Sequence, residues 1–433
     1  MVPNGWTFDR IESHIDFLSG FAFKSACYSN CDNDIRLLRG DNIEPGALRW
    51  RDAKKWSIAN IAEYDRYQLQ ESDLIIAMDR TWVSAGLKIA VVQKTDLPCL
   101  LVQRVARIRT KVTLKQNLIK YFFANNRFEQ YVKSVQTETA VPHISSKQIK
   151  DFPVLLPPLP EQTKIAQILS TWDKAIATVE KLIENSKQQK KALMQQLLTG
   201  KKRFKEFGEP TKDGELPEGW VAKNLLQSKI KIIDGDRGKE YPKSTDFSAN
   251  GYCVFLTAKN VTKRGFNFTE KQFITEEKSL KLRKGEAVKG DIILTTRGTV
   301  GNVAFYQDSL GFGAVRINSG MVVVRNSGDN LNQKYLYTLF RSRIIERQIE
   351  SMSFGSAQPQ LTVGIINALK IPVPSIAEQV KISEAIEASE LESENLIRAL
   401  SSIKFEKKAL MQQLLTGKRR VKVDTPQPAE ATA

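Results

Sequence analysis

Polar residues with the chemistry of base recognition follow an apolar run in the second half of the chain. Residues 291–296 are typical of a strand, and three polar residues come soon afterwards: Arg297, Thr299 and Asn302. Arginine pairs with guanine and asparagine with adenine through paired donors and acceptors in the major groove. Gly298 and Gly301 would let the backbone approach phosphates closely. The pattern predicts a DNA-contacting turn, and a solvated surface turn is the alternative.

Candidate base readers of the same kind occur at other loops. In the first half of the chain, the counterparts of the Arg297 turn are Asp79, Arg80 and Thr81. A second pair of aligned loops contributes Asp41, Asn42, Lys259 and Asn260. A third pair, residues 138–143 and 356–360, contributes His143, Gln358 and Gln360. For each of these residues the alternative is an ordinary solvated loop.

Sequence motifs of catalysis are missing from the chain. A DNA adenine methyltransferase would carry an Asn/Asp-Pro-Pro-Tyr/Phe tetrapeptide and a glycine-rich cofactor loop, and an ATPase would carry GxxxxGK[ST]; none occurs. The histidines are His14 and His143, too few for most metal-hydrolase sites. Cys27 and Cys31 lack a second cysteine pair, so a zinc site is not expected. We therefore expect a non-catalytic protein that itself holds no metal or cofactor.

The composition favours a polyanionic partner. The chain has 65 Lys and Arg residues and 48 Asp and Glu residues, which gives a formal net charge of +17. Nucleic acid is the leading candidate, and a basic protein that is simply soluble is the alternative. No run approaches the roughly 18 apolar residues of a membrane span, and the N-terminal residues do not predict a signal peptide. We expect a cytoplasmic protein with reduced thiols.

An internal repeat divides the chain into two halves. The sequence KKALMQQLLTGK occupies residues 190–201 and again 407–418, an offset of 217 residues. At the same offset the pair Glu161-Gln162 aligns with Glu378-Gln379, and segments farther upstream align with small gaps. Each half therefore has a divergent N-terminal body and a nearly fixed C-terminal end. The fixed ends predict a shared task, and the bodies predict separate ones.

A heptad pattern runs through each fixed end. Over residues 165–197 and 382–414, seam positions recur at alternating spacings of four and three. The pattern predicts a helix over residues 161–198 and its equivalent in the second half. Three prolines are expected to prevent an earlier start: Pro157, Pro158 and Pro160. Gly200 and Gly417 are expected to end the helices. We expect the two helices to pack on each other, parallel or antiparallel; packing on separate partners is the alternative.

Short apolar runs rich in Val, Ile and Leu precede each fixed end. They predict strands at residues 36–39, 74–78, 87–92, 100–109, 253–257, 291–296, 301–306 and 320–325. Residues 116–134 and 332–350 predict the matching helices. Each body is therefore expected to be an α+β domain. Residues 204–218 are expected to form a linker, and residues 421–433 a disordered tail.

These segments together resemble the specificity subunit of type I restriction–modification systems. The resemblance rests on LPPLPEQTKIAQIL (156–169) and IPVPSIAEQVKISEAI (371–386), on both copies of KKALMQQLLTGK, and on GDIILTTRGTVGNVAF (290–305). Residues 72–91 show a degraded version of the last motif. The resemblance covers nearly the whole chain, and its motifs occur twice and in order.

The resemblance implies two α+β target-recognition domains, residues 1–155 and 219–372, separated by spacer helices. The spacer helices, residues 156–203 and 373–420, would pack as an antiparallel coiled coil with pseudo-two-fold symmetry. Each domain would read one half of a split DNA site, and because the bodies differ, the site would be asymmetric. The helices would set the gap between the halves and bind two modification subunits. Those subunits would carry S-adenosylmethionine and methylate adenine, and restriction subunits would join them, with ATP also expected on partner subunits.

Identical residues near the two helix ends are candidates for the partner-binding surface: Met194, Gln195, Gln196, Met411, Gln412 and Gln413. Two identical partner subunits would contact the same residues in both halves, although recent duplication or recombination explains the identity equally well. Two other classes of function stay open. One is a structural two-domain scaffold, and the other is a DNA-modifying enzyme with unrecognised motifs.

Overall fold

The chain forms two compact units. A computed structural model describes residues 2–83, 86–135, 143–212, 214–307, 310–352 and 360–423. Unit 1 combines Met1–Glu180 with Arg398–Ala433, and unit 2 is Lys181–Ile397. The predicted tail lies outside the described residues from position 424 onwards. The predicted domain boundaries stay a prediction, because these units are divided by contacts and each includes parts of both long helices.

Unit 1 contains thirteen short strands among its described residues. They are β1 (Thr7–Arg10), β2 (Ile15–Ser19), β3 (Ile35–Leu38), β4 (Ile43–Glu44), β5 (Ala47–Leu48), β6 (Lys55–Trp56), β7 (Leu74–Ala77), β8 (Trp82–Val83), β9 (Gly86–Leu87), β10 (Ile89–Val91), β11 (Cys99–Leu101), β12 (Val105–Thr110) and β13 (Pro153–Leu156). Its helices are α1 (Gln116–Phe123), α2 (Asn126–Val135), α3 (Ser146–Lys150), the first part of α4 (Leu159–Leu198) and the last part of α9 (Ile376–Leu415).

Unit 2 has a similar order of elements, with one additional short helix (Glu276–Lys281), and it also includes the last part of α4. Its strands and helices are β14 (Val221–Asn224), β15 (Ile230–Asp234), β16 (Cys253–Leu256), β17 (Val261–Thr262), β18 (Gly265–Phe266), β19 (Phe273–Ile274), α5 (Glu276–Lys281), β20 (Glu286–Ala287), β21 (Ile292–Thr295), β22 (Val303–Phe305), β23 (Ala314–Ile317), β24 (Met321–Asn326), α6 (Gln333–Phe340), α7 (Arg343–Met352), α8 (Val363–Ala368), β25 (Lys370–Val373) and the first part of α9 (Ile376–Leu415).

Equivalent sheets organise the two units. Unit 1 has an antiparallel sheet in the order β10-β7-β12-β2, and unit 2 has β22-β21-β24-β15. A second sheet in each unit contains one parallel pair, β3 with β11 and β16 with β23. In both units an arginine of the first sheet binds a buried carboxylate. Arg109 donates two hydrogen bonds to Asp73, and Arg325 donates two to Asp291. The α+β prediction is therefore confirmed in both halves.

The long helices pair antiparallel within each unit. In unit 1, α4 residues Asp173 and Glu180 contact Lys407 and Lys404 of α9, so numbers rise on one helix as they fall on the other. In unit 2, Ser186 and Lys190 of α4 contact Ser393 and Glu390 of α9, so the direction is the same. The buried and half-buried positions of α4 include the whole predicted seam. The heptad pattern thus predicted the packing face, and the contacts decide between parallel and antiparallel.

Several predicted element boundaries were wrong. The predicted helices 116–134 and 332–350 are each two helices, because Asn125 and Ser342 cap a new start. Strand 100–109 is broken by a turn at Arg104, whose φ is +64°, and strand 87–92 is likewise two short strands. Helix α4 begins at Leu159, two residues before its predicted start, since a proline at the first helical turn loses no hydrogen bond.

Candidate nucleic-acid interface

Three chain segments meet at the end of β21 in unit 2. Thr296 N donates to Gly320 O at 2.8 Å, and Leu361 N donates to Thr296 O at 3.1 Å. These bonds bring Arg297, Gly320 and Gln360 together, and we call this group the second junction. Arg297 and Gln360 are exposed. The sequence predicted both as DNA contacts without indicating that they touch.

An equivalent pair of backbone hydrogen bonds, which we call the backbone frame of the junction, recurs at the end of β7 in unit 1. Met78 N donates to Arg104 O at 2.8 Å, and Ile144 N donates to Met78 O at 2.9 Å. The bonds bring Asp79, Arg104 and His143 together, and we call this group the first junction. Asp79 and His143 were predicted from the sequence, whereas Arg104 was not. The sequence does contain a signal for Arg104, because Gln103 and Arg104 are polar residues between two apolar runs. Residues 100–109 were nevertheless predicted as one unbroken strand.

The side chains of the two junctions differ in charge. At the second junction, with the Gln360 carboxamide assigned so that its oxygen faces the guanidinium, that oxygen accepts hydrogen bonds from Arg297 Nε at 3.1 Å and from Nη2 at 2.8 Å. At the first junction, Asp79 forms an ion pair with Arg104 and lies 2.5 Å from His143 Nδ1. The Arg104 side chain is 69% exposed, whereas that of Asp79 is 20% exposed. Each junction therefore holds an exposed guanidinium against a fixed acceptor.

The charge state of Asp79 follows from these contacts. Burial raises the pKa of the Asp79 carboxyl, but hydrogen bonds from Arg104 and His143 outweigh burial and leave the pKa below its ordinary value. The same carboxylate raises the pKa of Arg104. Both groups are consequently charged at neutral pH. The first junction presents an ion pair, and the second presents a cation beside a neutral amide.

The turn after β21 is tight. Thr295 Oγ1 accepts a hydrogen bond from Asn302 N at 3.0 Å and donates to the carbonyl oxygen of Thr299. Asn302 is half-buried, and its Nδ2 donates to Val261 O at 3.1 Å. Gly298 and Gly301 have φ of +71° and +88°, a region that glycine adopts without strain. The turn therefore leaves Arg297 and the Thr299 side chain facing solvent and uses Asn302 internally.

The corresponding turn in unit 1 is four residues longer and is built differently. Thr295 N bonds to Asn302 O, whereas its counterpart Ala77 N bonds to Lys88 O. Thr81 is buried, and its Oγ1 donates to Met78 O at 3.1 Å. Arg80 is exposed with φ of +44°. Of the three predicted readers in this turn, Arg80 faces solvent, Asp79 is paired, and Thr81 supports the backbone.

The second loop pair holds two buried asparagines. Asn42 is 5% exposed and Asn260 is 2% exposed. Asn42 accepts from Arg39 N and donates to Arg49 O, and Asn260 accepts from Thr257 N and donates to Asn267 O. Since these bonds occupy the amides, we assign both residues to loop support rather than base contact. Their exposed neighbours are Asp41, beside Arg39, and Lys259, which pairs with Glu270 at 2.8 Å.

The predicted partner-binding residues divide into two groups. Met194 is 9% exposed and Met411 is 7% exposed, and each belongs to the hydrophobic core of its own unit. The four glutamines beside them are exposed: Gln195, Gln196, Gln412 and Gln413. The methionines therefore contribute packing, and the glutamines form the available surface. Gln358 lies outside the described residues.

Two further features bear on chemistry. Within the described ranges, no three His, Cys, Asp or Glu side chains cluster so that they could hold a metal ion, and the cysteines are free thiols. None of the helices in these ranges has both the length and the hydropathy that a lipid bilayer requires.

The architecture has counterparts among solved structures. The chain is similar to the S subunit of a type I restriction–modification system from M. genitalium, with a TM-score of 0.55, 15% identity, and coverage of 95% of this chain and 97% of that one. At this identity the likeness concerns the fold. A protein of two related α+β units built with long heptad helices is thus a known class.

Sequence comparison gives the family. Residues 3–187 and 226–400 match the type I restriction modification DNA specificity domain, and the chain belongs to this family. It is 28% identical to the MjaVIII specificity subunit of Methanocaldococcus jannaschii over 306 residues, 70% of each chain. It is 36% identical to the EcoAI specificity subunit of Escherichia coli over 183 residues, 42% of this chain and 30% of that protein. The chain is therefore a non-catalytic DNA-specificity subunit.

Proposed function

We propose that each unit of this specificity subunit reads one half of a split, asymmetric DNA site. The observation that supports the proposal most strongly is the pair of junctions. They share one backbone frame but carry different side chains, Arg297 with Gln360 in one unit and Asp79 with Arg104 in the other. A shared frame favours the same mode of approach to DNA, whereas the different side chains around it favour different half-sites.

We further propose that the protein acts inside a larger complex. The exposed glutamines Gln195, Gln196, Gln412 and Gln413 would contact modification subunits, with one subunit for each copy of the repeat. In this proposal those subunits bind S-adenosylmethionine and methylate adenine, and restriction subunits use ATP. The specificity subunit contributes recognition and position only. Because the substrate is host and invading DNA, the proposed compartment is the cytoplasm.

The candidate reading residues follow from exposure. We assign base or phosphate contacts to the exposed predicted residues Asp41, Arg80, Lys259, Arg297 and Thr299, and to His143 at the first junction, whereas Gln360 orients Arg297. Asn42, Asn260, Thr81 and Asn302 hold the loops that carry them. The excess positive charge of +17 supplies the sequence-independent part of the attraction to phosphate.

Selection from random DNA tests the proposal. The full chain, purified with its modification subunits, would be offered duplexes that are random at two half-sites and vary in the gap between them. We expect one bipartite, non-palindromic motif with a fixed gap, and half-sites on the order of 10 bp apart centre to centre. A single contiguous motif, a palindrome, or binding without sequence preference would contradict the proposal.

The spacing component has its own test. Ser186 and Ser393 face each other across the helix pair in unit 2, with their Oγ atoms 2.6 Å apart. Matched insertions of one heptad next to both serines preserve the seam while lengthening each helix by about 10 Å. We expect a shifted gap or loss of binding. An unchanged gap would refute the idea that the helices set the distance.

A further inference from the structure

We propose that Arg104 and Arg297 are equivalent base-reading residues, one for each half-site, and that each contacts a guanine. Asp79 and Gln360 are their positioning residues. The inference rests on the proposed reading of one half-site by each unit. It adds a residue, Arg104, that the sequence patterns did not indicate, and it assigns a base to each unit.

The two arginines reach their junctions from different strands. Arg297 follows β21, whereas Arg104 stands in the turn before β12. The residue of unit 2 that corresponds to Arg104 is Gly320, since both carbonyls accept the equivalent backbone hydrogen bond. A Cβ built on Gly320 would lie 3.8 Å from Arg297 Cβ. The two positions are therefore neighbours in the frame, and an arginine at either one projects from the same junction.

The fixed acceptors leave part of each guanidinium for DNA. Guanidinium has five N–H groups in a rigid plane. Gln360 accepts from Nε and Nη2 of Arg297, so the edge between the two Nη atoms keeps N–H groups for a second partner. Asp79 engages Nη1 of Arg104, and the rest of that side chain extends into solvent. An arginine edge of this kind matches the paired acceptors O6 and N7 of guanine.

The positioning residues reduce the ordering that binding requires. An unrestrained arginine loses rotamer freedom when it docks, and an acceptor already bound to the guanidinium limits that loss. Asp79 also neutralises the charge of Arg104, whereas Gln360 leaves the charge of Arg297 intact. Arg104 therefore has less general attraction for phosphate than Arg297. Its exposed donors suit the recognition of a base edge.

The test is the same selection from random DNA, with arginine variants of the full chain in complex with its modification subunits. We expect Arg297→Ala to lose a guanine preference at one position of one half-site, on the order of 10- to 100-fold. We expect Arg104→Ala to do so in the other half-site. Arg297→Lys should weaken the preference although it keeps the charge, because lysine lacks the rigid planar pair of donors.

Matched controls are available in each unit. Arg10 is 69% exposed and pairs with Asp151, so Arg10→Ala removes an exposed, ion-paired arginine of unit 1 that is remote from the first junction in sequence. Arg343, which pairs with Glu346 at 2.9 Å, serves for unit 2. Both control variants should retain the full motif. Loss of a guanine preference in either control would overturn the assignment.

The positioning residues are tested by rescue. Gln360→Ala should weaken the preference at the base that Arg297 reads, and Gln360→Glu should restore it, because a carboxylate accepts the same two hydrogen bonds. Asp79→Ala should act on the other half-site. If the alanine variant of Gln360 changes both half-sites, or if the glutamate variant fails to rescue, the positioning role is wrong.

The remaining outcomes separate this inference from the proposed function. The arginine variants could instead weaken binding to all sequences equally and reduce the slope of log affinity against log salt concentration by about one. In that case the arginines bind phosphate and the inference fails. A bipartite wild-type motif that is unchanged in both arginine variants would also overturn the inference alone. A wild-type protein without any bipartite motif would overturn both.

Discussion

Both units contain an equivalent set of Arg, Glu and Trp side chains at the ends of their long helices, but the two sets are buried to different extents. In unit 1, Arg420 follows α9 and binds Glu161 of α4, and the Trp6 indole donates to the same carboxylate. In unit 2, Arg203 and Trp220 bind Glu378 in the same manner. The Arg203 and Glu378 side chains are 4% and 2% exposed, against 42% and 10% for Arg420 and Glu161.

The difference follows from chain connectivity. Arg203 and Trp220 are joined by the segment 204–218, and part of it covers the ion pair, since Arg203 Nη1 donates to Glu209 O at 3.4 Å. Arg420 and Trp6 come from opposite ends of the chain, and Arg420 instead donates to Asn4 O at 3.0 Å. An identical set of side chains thus becomes a buried ion pair in one unit and a half-exposed one in the other.

The largest expected effect comes from breaking this ion pair. Glu378→Ala leaves Arg203 buried without its partner, which should cost about 3–5 kcal/mol. Glu161→Ala should cost less, because the half-exposed Arg420 can be hydrated. Hydrogen exchange measured by mass spectrometry, peptide by peptide, reports the stability of each unit separately. Equal losses in the two variants would contradict the role of burial.

A smaller effect is expected at the helix ends. Gly200 and Gly417 have φ of +72° and +69°, and a Cβ on either would lie 2.1 and 2.3 Å from Cγ of Pro217 and Pro3 respectively. Alanine at either position should therefore cost roughly 2–4 kcal/mol, from backbone strain and overpacking combined.

Gly298 provides the control for the helix-end glycines. Its φ is +71°, but no atom lies within 4 Å of an added Cβ. Gly298→Ala should therefore show the backbone strain alone, about 1 kcal/mol. Urea unfolding of the three variants measures the difference. A Gly298→Ala variant as unstable as Gly200→Ala would show that contact with Pro217 is unimportant.

Acid should weaken the seam of both units. Burial raises the pKa of Asp173, but hydrogen bonds from Lys120, Lys407 and Tyr121 leave it below the ordinary 3.8. Burial likewise raises the pKa of Glu390, and Arg341 with Lys190 lowers it below the ordinary 4.5. A depressed folded-state pKa gives stability that is present above the unfolded value and is lost as pH falls through the folded value.

Neutral variants test this pH dependence. Asp173→Asn and Glu390→Gln should each lower stability at neutral pH by about 1 kcal/mol. Asp173→Asn should also flatten the decline that we expect for the wild type below pH 3.8, and Glu390→Gln should flatten the decline expected below pH 4.5. Thermal unfolding from pH 7 to pH 3 provides the measurement. A variant that declines as steeply as the wild type would exclude that carboxylate as the source.

The smallest effect is expected in the middle of the helices. Ser186 and Ser393 are buried, and their hydroxyl groups are hydrogen-bonded to each other. The Ser393 hydroxyl also donates a hydrogen bond to Ser389 O. Replacing both by alanine removes donors and acceptors together, so we expect a change within about 1 kcal/mol of zero. Replacing Ser186 alone should be less favourable than the double change. Urea unfolding of the single and double variants decides the order.

The sequence predicted the frame better than the side-chain roles. Heptad spacing identified the seam of α4 because a narrow apolar stripe has only one face to bury. The repeat also matched Glu161 with Glu378, which turned out to be equivalent ion-pair partners. The pairing direction was left open, because a heptad pattern serves parallel and antiparallel helices alike.

The candidate interface was harder to predict, since loop polarity does not distinguish a reader from a support. Asn42 and Asn260 were predicted as readers, yet both amides are buried and hydrogen-bonded inside their loops. Arg104 was hidden in what looked like one long strand, because apolar residues on both sides masked the turn. Pairing between Arg297 and Gln360 depends on segments 63 residues apart, which no local pattern reports.

One backbone frame with different side chains in the two units would read two different half-sites. The most direct test is sequencing of methylated adenines in the DNA of a host that expresses the intact system with wild-type or Arg297→Ala specificity subunit. We predict a bipartite methylation motif that becomes degenerate at one guanine in one half-site in the variant and keeps the other half-site intact. An unchanged motif, or changes spread over both half-sites, would contradict it.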